Sequence, residues 1–339
     1  MSQGFGGQIR RLFKSIRSLA GPGAPAPDPR IAEFFSQLDT TLPSSELRRQ
    51  IHAFHDATHA AFNEGDQQFF YQGVIKRLPR LAENHNSLNW AYERLIQLPW
   101  ARGDRVAAMA LFDRYVDDYA LAYGELFDRS YRAAMIATQT RPITLQRRDR
   151  FQALVGLLQK VLPLQGLVAE CGCYRGLSSY MICSYLQAAD AGFDGGGYRI
   201  FDSFAGLSEP QPEDAIDMSM SGAKRLARMT KPGAFAASLP LVQQHLSDFP
   251  GIAYYPGWIP QAFPDEPEAR YRFVHVDVDI YQPTRDCFEY FYPRLVPGGI
   301  LLSDDYAWPG ARRAIEEFCA RTGVQLHTTA CAQAYVIAG

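Results

Sequence analysis

Short apolar runs alternate with amphipathic stretches from residue 167 onward, and this alternation limits the fold more than any other feature of the sequence. Five runs have the length and composition of buried strands: 167–171, 198–204, 252–257, 273–280 and 299–306. Segments between them, such as 177–189 and 284–295, have the apolar spacing of helices. Strands that alternate with helices pair in parallel, so the sequence predicts an open α/β sheet.

Two further runs, 324–329 and 334–339, follow the last helical stretch. The few residues between them cannot hold a crossover helix. We therefore expect an antiparallel hairpin at one edge of the sheet, which would otherwise be parallel.

The sequence before this region has a different pattern. Residues 31–150 carry apolar residues at helical spacing, which predicts four or five helices with a break near Gly65 and another between Pro99 and Gly103. Residues 1–30 start basic and amphipathic and continue into a Pro/Gly-rich stretch, typical of a flexible tail. The predicted domains are a tail over 1–30, an all-helical accessory domain over 31–145 and an α/β domain over 146–339.

Composition excludes several classes of protein. The net charge of −2 gives no basis for nucleic-acid binding, and no apolar run reaches the length of a membrane span. The beginning of the chain lacks the apolar core of a secretion signal. Six cysteines without a C-x-x-C pair are typical of reduced thiols, so we expect a cytoplasmic protein.

Carboxylates follow the apolar runs, at the edge of the sheet where ligands of such folds bind. They are Glu170, Asp202, Asp277, Asp279, Asp304 and Asp305. Burying an unpaired carboxylate costs about several kcal/mol. We therefore expect each of these acids to have a hydrogen-bond donor or a positive charge beside it.

The loop after the first run, E-C-G-C-Y-R-G-L-S, contains Gly172 and Gly176 and opens a helix. It either lets the backbone approach a ligand closely or is only a tight turn. Cys173 and Leu177 stand where a G-x-G-x-x-G pattern requires glycine, which disfavours a dinucleotide. Asp202 is suited to bind the hydroxyls of a ribose, or alternatively to cap the following turn.

The acids of the last two parallel strands indicate a cation. Three carboxylates within a few Å repel one another unless a positive charge lies among them. Ligands that are all oxygen favour Mg²⁺, Mn²⁺ or Ca²⁺ over zinc. His275, inside the fourth run, is expected to be a core histidine.

Residues from about 150 to 339 resemble the macrocin O-methyltransferase (TylF-like) family of class I S-adenosylmethionine-dependent methyltransferases. Five motifs carry the resemblance: V-A-E-C-G-C-Y-R-G-L-S (168–178), F-D-S-F-A-G-L (201–207), Y-Y-P-G-W-I-P-Q-A-F-P (254–264), H-V-D-V-D-I-Y-Q-P-T (275–284) and L-S-D-D-Y (302–306). The implied fold is a Rossmann-like sheet, mostly parallel, with an antiparallel C-terminal hairpin.

The resemblance also implies a reaction and its residues. The reaction is methylation of a hydroxyl, commonly on a sugar attached to a natural product, by S-adenosylmethionine with Mg²⁺ or Mn²⁺. The implied metal ligands are Asp277, Asp304 and Asp305, and the implied general base is Asp279. The implied cofactor-binding residues are Glu170, Gly172, Tyr174, Gly176, Ser178, Asp202, Ser203 and Trp258.

Two departures and two alternatives accompany the resemblance. Val278 stands where the family usually has glycine, and residues 31–150 lie outside the matching region. We expect those residues to shape the acceptor site or to form a homo-oligomer contact. The alternatives are an NAD-linked oxidoreductase on a similar sheet and a non-catalytic scaffold. The sequence does not identify the acceptor.

Overall fold

The computed structural model describes residues 26–78, 85–118, 123–140, 145–217 and 230–339. These residues form two compact units, one made by the first two ranges and the other by the last three. In the described part of the chain, no helix combines the length and the apolar character that crossing a membrane requires.

The first unit is helical. Its described α-helices are α1 (Pro29–Gln37), α2 (Ser44–Thr58), α3 (Glu64–Arg77), α4 (His85–Ala101) and α5 (Arg105–Asp118). Asn63 and Asp66 form a capping box that starts α3, so Gly65 lies inside that helix and the break falls just before it. Pro99 likewise lies inside α4, and the predicted break comes after Ala101.

The second unit contains two helices before its sheet, α6 (Glu125–Ala137) and α7 (Leu145–Val161). Gly124, with φ +99°, is the N-cap residue at which α6 begins. The buried Arg148 joins α6 to α7 through a 2.5 Å ion pair with Asp128. Helix α6 thus groups with the sheet in the second unit.

Seven strands form one sheet in the described residues. They are β1 (Leu167–Cys171), β2 (Tyr198–Asp202), β3 (Ala253–Pro256), β4 (Tyr271–Val276), β5 (Leu295–Ser303), β6 (His327–Thr328) and β7 (Ala334–Ile337). The remaining α-helices are α8 (Leu177–Ala189), α9 (Leu239–His245), α10 (Tyr281–Phe291) and α11 (Pro309–Thr322).

The strand order is β3-β2-β1-β4-β5-β7-β6. The first five strands of that order pair in parallel, and β7 pairs antiparallel with both β5 and β6. The predicted α/β sheet and its antiparallel hairpin are therefore confirmed. From β1 the chain adds β2 and β3 on one side of the sheet and then β4 and β5 on the other. Sheets of this kind bind ligands at the crevice where the order reverses, here between β1 and β4.

Candidate active site

A cavity opens at the carboxyl ends of β1, β2 and β4. It encloses about 550 Å³ of space, part of it open to solvent. Six residues of the predicted site line it: Gly172, Tyr174, Asp202, Ser203, Trp258 and Asp277. The rings of Tyr174, Phe235 and Trp258 are partly exposed although large and apolar, as expected of side chains that await a ligand.

The glycine loop lies directly against the end of β4. Gly172 has φ +81°, and a Cβ atom built on it would lie 1.9 Å from the carbonyl oxygen of Asp277. Its N–H donates to the carbonyl of Phe201, while the Asp277 N–H donates to the carbonyl of Cys171 at 2.8 Å. Only glycine fits at this position, so the cavity wall depends on the close contact between this loop and the end of β4.

Asp202 holds the glycine loop to the end of β2. Its Oδ2 accepts the backbone N–H of Cys173 at 2.7 Å and that of Tyr174 at 3.3 Å. Its Oδ1 accepts the N–H of Phe204 at 2.7 Å, which is the turn-capping role considered from the sequence. The carboxylate also lines the cavity. Because each carboxylate oxygen accepts two hydrogen bonds, Oδ1 can still take a ligand hydroxyl.

Three residues predicted to bind the cofactor do not line the cavity. Glu170 is fully buried and accepts hydrogen bonds from Ser179, from Tyr198 Oη at 2.8 Å and from His275 Nδ1 at 2.8 Å. Ser178 is buried in the first turn of α8, and Gly176, with φ +90°, is the residue at which that helix begins. These positions support the wall of the cavity from behind.

The acids that follow β4 and β5 come together. Asp277, Asp279 and Asp305 place one carboxylate oxygen each within 4.8 Å of one another. Asp279 has φ +63°, and its N–H donates to Asp305 Oδ2 at 2.8 Å. Burial and the neighbouring Asp304 raise the pKa of Asp277 to about 6. Burial, Asp279 and Asp277 raise the pKa of Asp305 well above its usual range.

Asp304 has a different environment from the other acids. Arg150, on α7, donates from Nη2 to Asp304 Oδ2 and, at 2.5 Å, to the Asp304 carbonyl. Gln333 Nε2 donates to Asp304 Oδ1 at 2.5 Å. Burial raises the pKa of Asp304, but Arg150 and His275 outweigh that effect and lower it. Arg150 and Gln333 were not predicted from the sequence, since no motif marks either residue.

The residues present fit a divalent cation. Two groups of ligand atoms lie close enough to share a cation: Asp277, Asp279 and Asp305 form one, and His275, Asp277 and Asp304 form the other. The predicted ligand set of Asp277, Asp304 and Asp305 is thus divided between the two groups. The carboxylates offer the oxygen ligands that Mg²⁺ prefers. The raised pKa values of Asp277 and Asp305 show that ionised carboxylates are disfavoured there by burial and by one another. A cation would relieve that repulsion.

The strand order, the glycine loop and Asp202 define a Rossmann-like class I methyltransferase domain. A sequence model of the macrocin-O-methyltransferase (TylF) family matches residues 102–335. The prediction that residues 31–150 lie outside the family's region was therefore wrong for residues 102–150. The chain belongs to this family and is an O-methyltransferase. Family membership therefore favours the methyltransferase over the NAD-linked and scaffold alternatives.

Two characterised relatives are O-methyltransferases by name. The 8-demethyl-8-(2,3-dimethoxy-alpha-L-rhamnosyl)-tetracenomycin-C 4'-O-methyltransferase of Streptomyces olivaceus is 30% identical over 54% of this chain and 68% of its own length. The mycinamicin III 3''-O-methyltransferase of Micromonospora griseorubida is 30% identical over 47% of this chain and 62% of its own. This chain thus spans about two thirds of each relative.

Among solved structures, the O-methyltransferase NovP is 21% identical and matches 60% of this chain and 86% of its own, with a TM-score of 0.47. The fold class rests on the strand order described above.

Proposed function

We propose that the protein transfers the methyl group of S-adenosylmethionine to a hydroxyl of a sugar or glycosylated natural product, and that Mg²⁺ or Mn²⁺ assists. The proposal depends on one observation: the cavity lined by Gly172 and Asp202 lies at the same edge of the sheet as the aspartates that follow β4 and β5. The named substrate of one relative carries a rhamnosyl group, which supports a sugar hydroxyl as acceptor.

The methyl donor would occupy the cavity at the ends of β1 and β2. Gly172 lets the backbone come close to the ligand, and Asp202 Oδ1 accepts a hydrogen bond from a ribose hydroxyl. The exposed rings of Tyr174 and Trp258 provide apolar surface for an adenine base. Ser203 lines the same side of the cavity.

The acceptor would lie beside the aspartates. Asp277, Asp304 and Asp305 would hold the cation, which when bound lowers the pKa of a coordinated hydroxyl. Asp279 would take the proton from that hydroxyl as the methyl group is transferred. Val278 lines the cavity between Asp277 and Asp279 and would narrow the space for the acceptor.

The first unit contributes none of these site residues within its described ranges. We propose, as alternatives, that its helices shape the acceptor site or form a contact between copies of the chain.

Calorimetric titration with S-adenosylmethionine tests the donor site. We expect micromolar binding by wild type, and a loss of about tenfold or more in Asp202→Ala because a ribose hydrogen bond and the loop anchor are both removed. Thermal unfolding of the variant controls for its fold. Binding of a nicotinamide cofactor in place of S-adenosylmethionine would overturn the proposal.

Incubation with labelled S-adenosylmethionine and a panel of glycosides tests the acceptor class. We expect a labelled methyl ether on a sugar hydroxyl, identified by mass spectrometry. Label on the aglycone alone would contradict the sugar assignment and leave the donor site intact.

A further inference from the structure

Both carboxylate oxygens of Asp304 already accept a hydrogen bond from a neighbouring side chain, and the side chain is 16% exposed. One of its carboxylate oxygens accepts from Arg150 Nη2, and the other accepts from Gln333 Nε2. Gln333 is fully buried and also donates to the carbonyl of Arg150 at 3.2 Å, so it fixes both partners. His275 Nε2 lies 3.9 Å from Asp304 Oδ1.

Arg150 is therefore the positive charge closest to Asp304, and His275 lies farther away. The guanidinium is held by both the side chain and the backbone carbonyl of Asp304, an arrangement that fixes its position closely. Its pKa is raised, because the nearby Asp304, Asp277 and Asp305 outweigh the effect of burial. The side chain of Arg150 is 29% exposed, which leaves it a path to solvent.

A divalent cation coordinated by Asp304 would lie close to the Arg150 guanidinium. Two positive charges a few Å apart in a largely buried place repel strongly. Coordination by Asp304 thus requires Arg150 to give up the ion pair and withdraw along α7 toward solvent.

We infer that Arg150 is a resident counter-cation that competes with the divalent cation for Asp304. It is a positioning residue, and the inference rests on the cation of the proposed function. Arg150 keeps Asp304 neutralised while the cation is absent and lowers the affinity for the cation by the strength of the ion pair.

Titration with Mn²⁺, followed by electron paramagnetic resonance, tests the inference without an activity assay. We expect Arg150→Met and Arg150→Gln to bind Mn²⁺ about tenfold more tightly than wild type, within the usual range of coupling between two sites. Arg150→Lys keeps the charge and should stay near the wild-type affinity. A merely structural arginine would give weaker binding when replaced.

Arg272→Met is the matched control. Arg272 is also a partly buried arginine of the second unit, but its Nη1 donates to the backbone carbonyls of Leu162 and Leu164 instead of to a carboxylate. We expect its affinity for Mn²⁺ to equal that of wild type. In an Asp304→Asn background, Arg150→Gln should no longer tighten binding, because the ion pair is already absent.

The outcomes separate the inference from the proposed function. Unchanged or weaker Mn²⁺ binding by both neutral variants, with binding by wild type, overturns the inference alone. The inference is also overturned if Arg150→Lys increases the affinity for Mn²⁺ as much as Arg150→Gln does, since loss of the positive charge would then not be the cause. Absence of Mn²⁺ binding by every variant overturns both the inference and the cation of the proposed function.

Discussion

Glu170 takes its role from the strand beside it. The sequence placed it at the cofactor because it ends an apolar run. In the sheet, Glu170 is in register with His275 on the neighbouring β4, and the two side chains form a buried ion pair. Register between strands about a hundred residues apart is not contained in either motif, so the sequence indicated the edge of the sheet but not which acids face the cavity.

His275 should make stability depend on pH. Burial lowers its pKa, but Asp304 and Glu170 outweigh burial and raise it to about 10. The folded state then holds one more proton than the unfolded state between about pH 6.5 and 10, so stability is lost as pH rises through this window.

Urea unfolding at pH 7 and pH 8 measures this effect. Both pH values lie below the ordinary pKa of cysteine thiols, and EDTA removes metal ions that could bind the neighbouring acids. We expect wild type to lose up to about 1.4 kcal/mol per pH unit in free energy of unfolding, and His275→Gln to lose clearly less. Equal slopes for the two proteins would show that His275 is neutral when folded.

Asp279 allows a clean test of the general base. Its φ of +63° lies in the left-handed region, which asparagine adopts at least as readily as aspartate. Asp279→Asn therefore keeps the backbone and removes the proton acceptor together with one negative charge of the aspartate cluster. We expect the rate of methyl transfer to fall about 10²–10⁴-fold while the affinity for S-adenosylmethionine changes little.

The exposed Asp265 provides the control, and Asp265→Asn should retain full activity. Loss of cofactor affinity in proportion to the rate of Asp279→Asn would assign Asp279 to cofactor binding instead.

The bounds of strands were predicted well where a clear turn follows the apolar run, and poorly where the apolar pattern continues past the end of the strand. β1 has the predicted bounds, Leu167–Cys171, since its apolar run ends at a sharp glycine turn. The fourth run was predicted to reach residue 280, but β4 ends at Val276. Asp277 and Asp279 therefore lie beyond the strand, near the acids after β5, and this is how two carboxylates are tolerated after so apolar a run.

The turn after β1 should be more sensitive to substitution than other glycine turns. Gly172→Ala adds a methyl group that collides with the Asp277 carbonyl, whereas Gly323, with φ +72° at the end of α11, has open space around it. We expect Gly323→Ala to cost about 1–3 kcal/mol from backbone strain alone.

Gly172→Ala should cost more and also weaken S-adenosylmethionine binding about tenfold or more, because the loop must move away from β4. Thermal unfolding and calorimetric titration of both variants measure the two effects. Similar losses in both variants would mean that the close approach at Gly172 is unimportant.

At the scale of the whole molecule, charge is concentrated at one place rather than spread. The net charge is only −2, yet the sheet edge gathers Glu170 and four aspartates. Arg150 and His275 balance part of that charge from α7 and β4. The sequence could locate the acids because they follow strands, but Arg150 precedes Asp304 by 154 residues, and only the folded chain brings them together.

The division into two units predicts where ligands act on the molecule. All residues of the proposed donor and cation sites lie in the second unit, so binding should stabilise that unit by mass action. We expect hydrogen exchange, followed by mass spectrometry, to slow in peptides covering 167–178, 198–208 and 271–282 when S-adenosylmethionine and Mg²⁺ are added. Peptides from α1 to α5 should exchange at unchanged rates. Protection of comparable size in those helices would show that the first unit takes part in donor or cation binding, and a further change there on adding a glycoside would assign it to the acceptor.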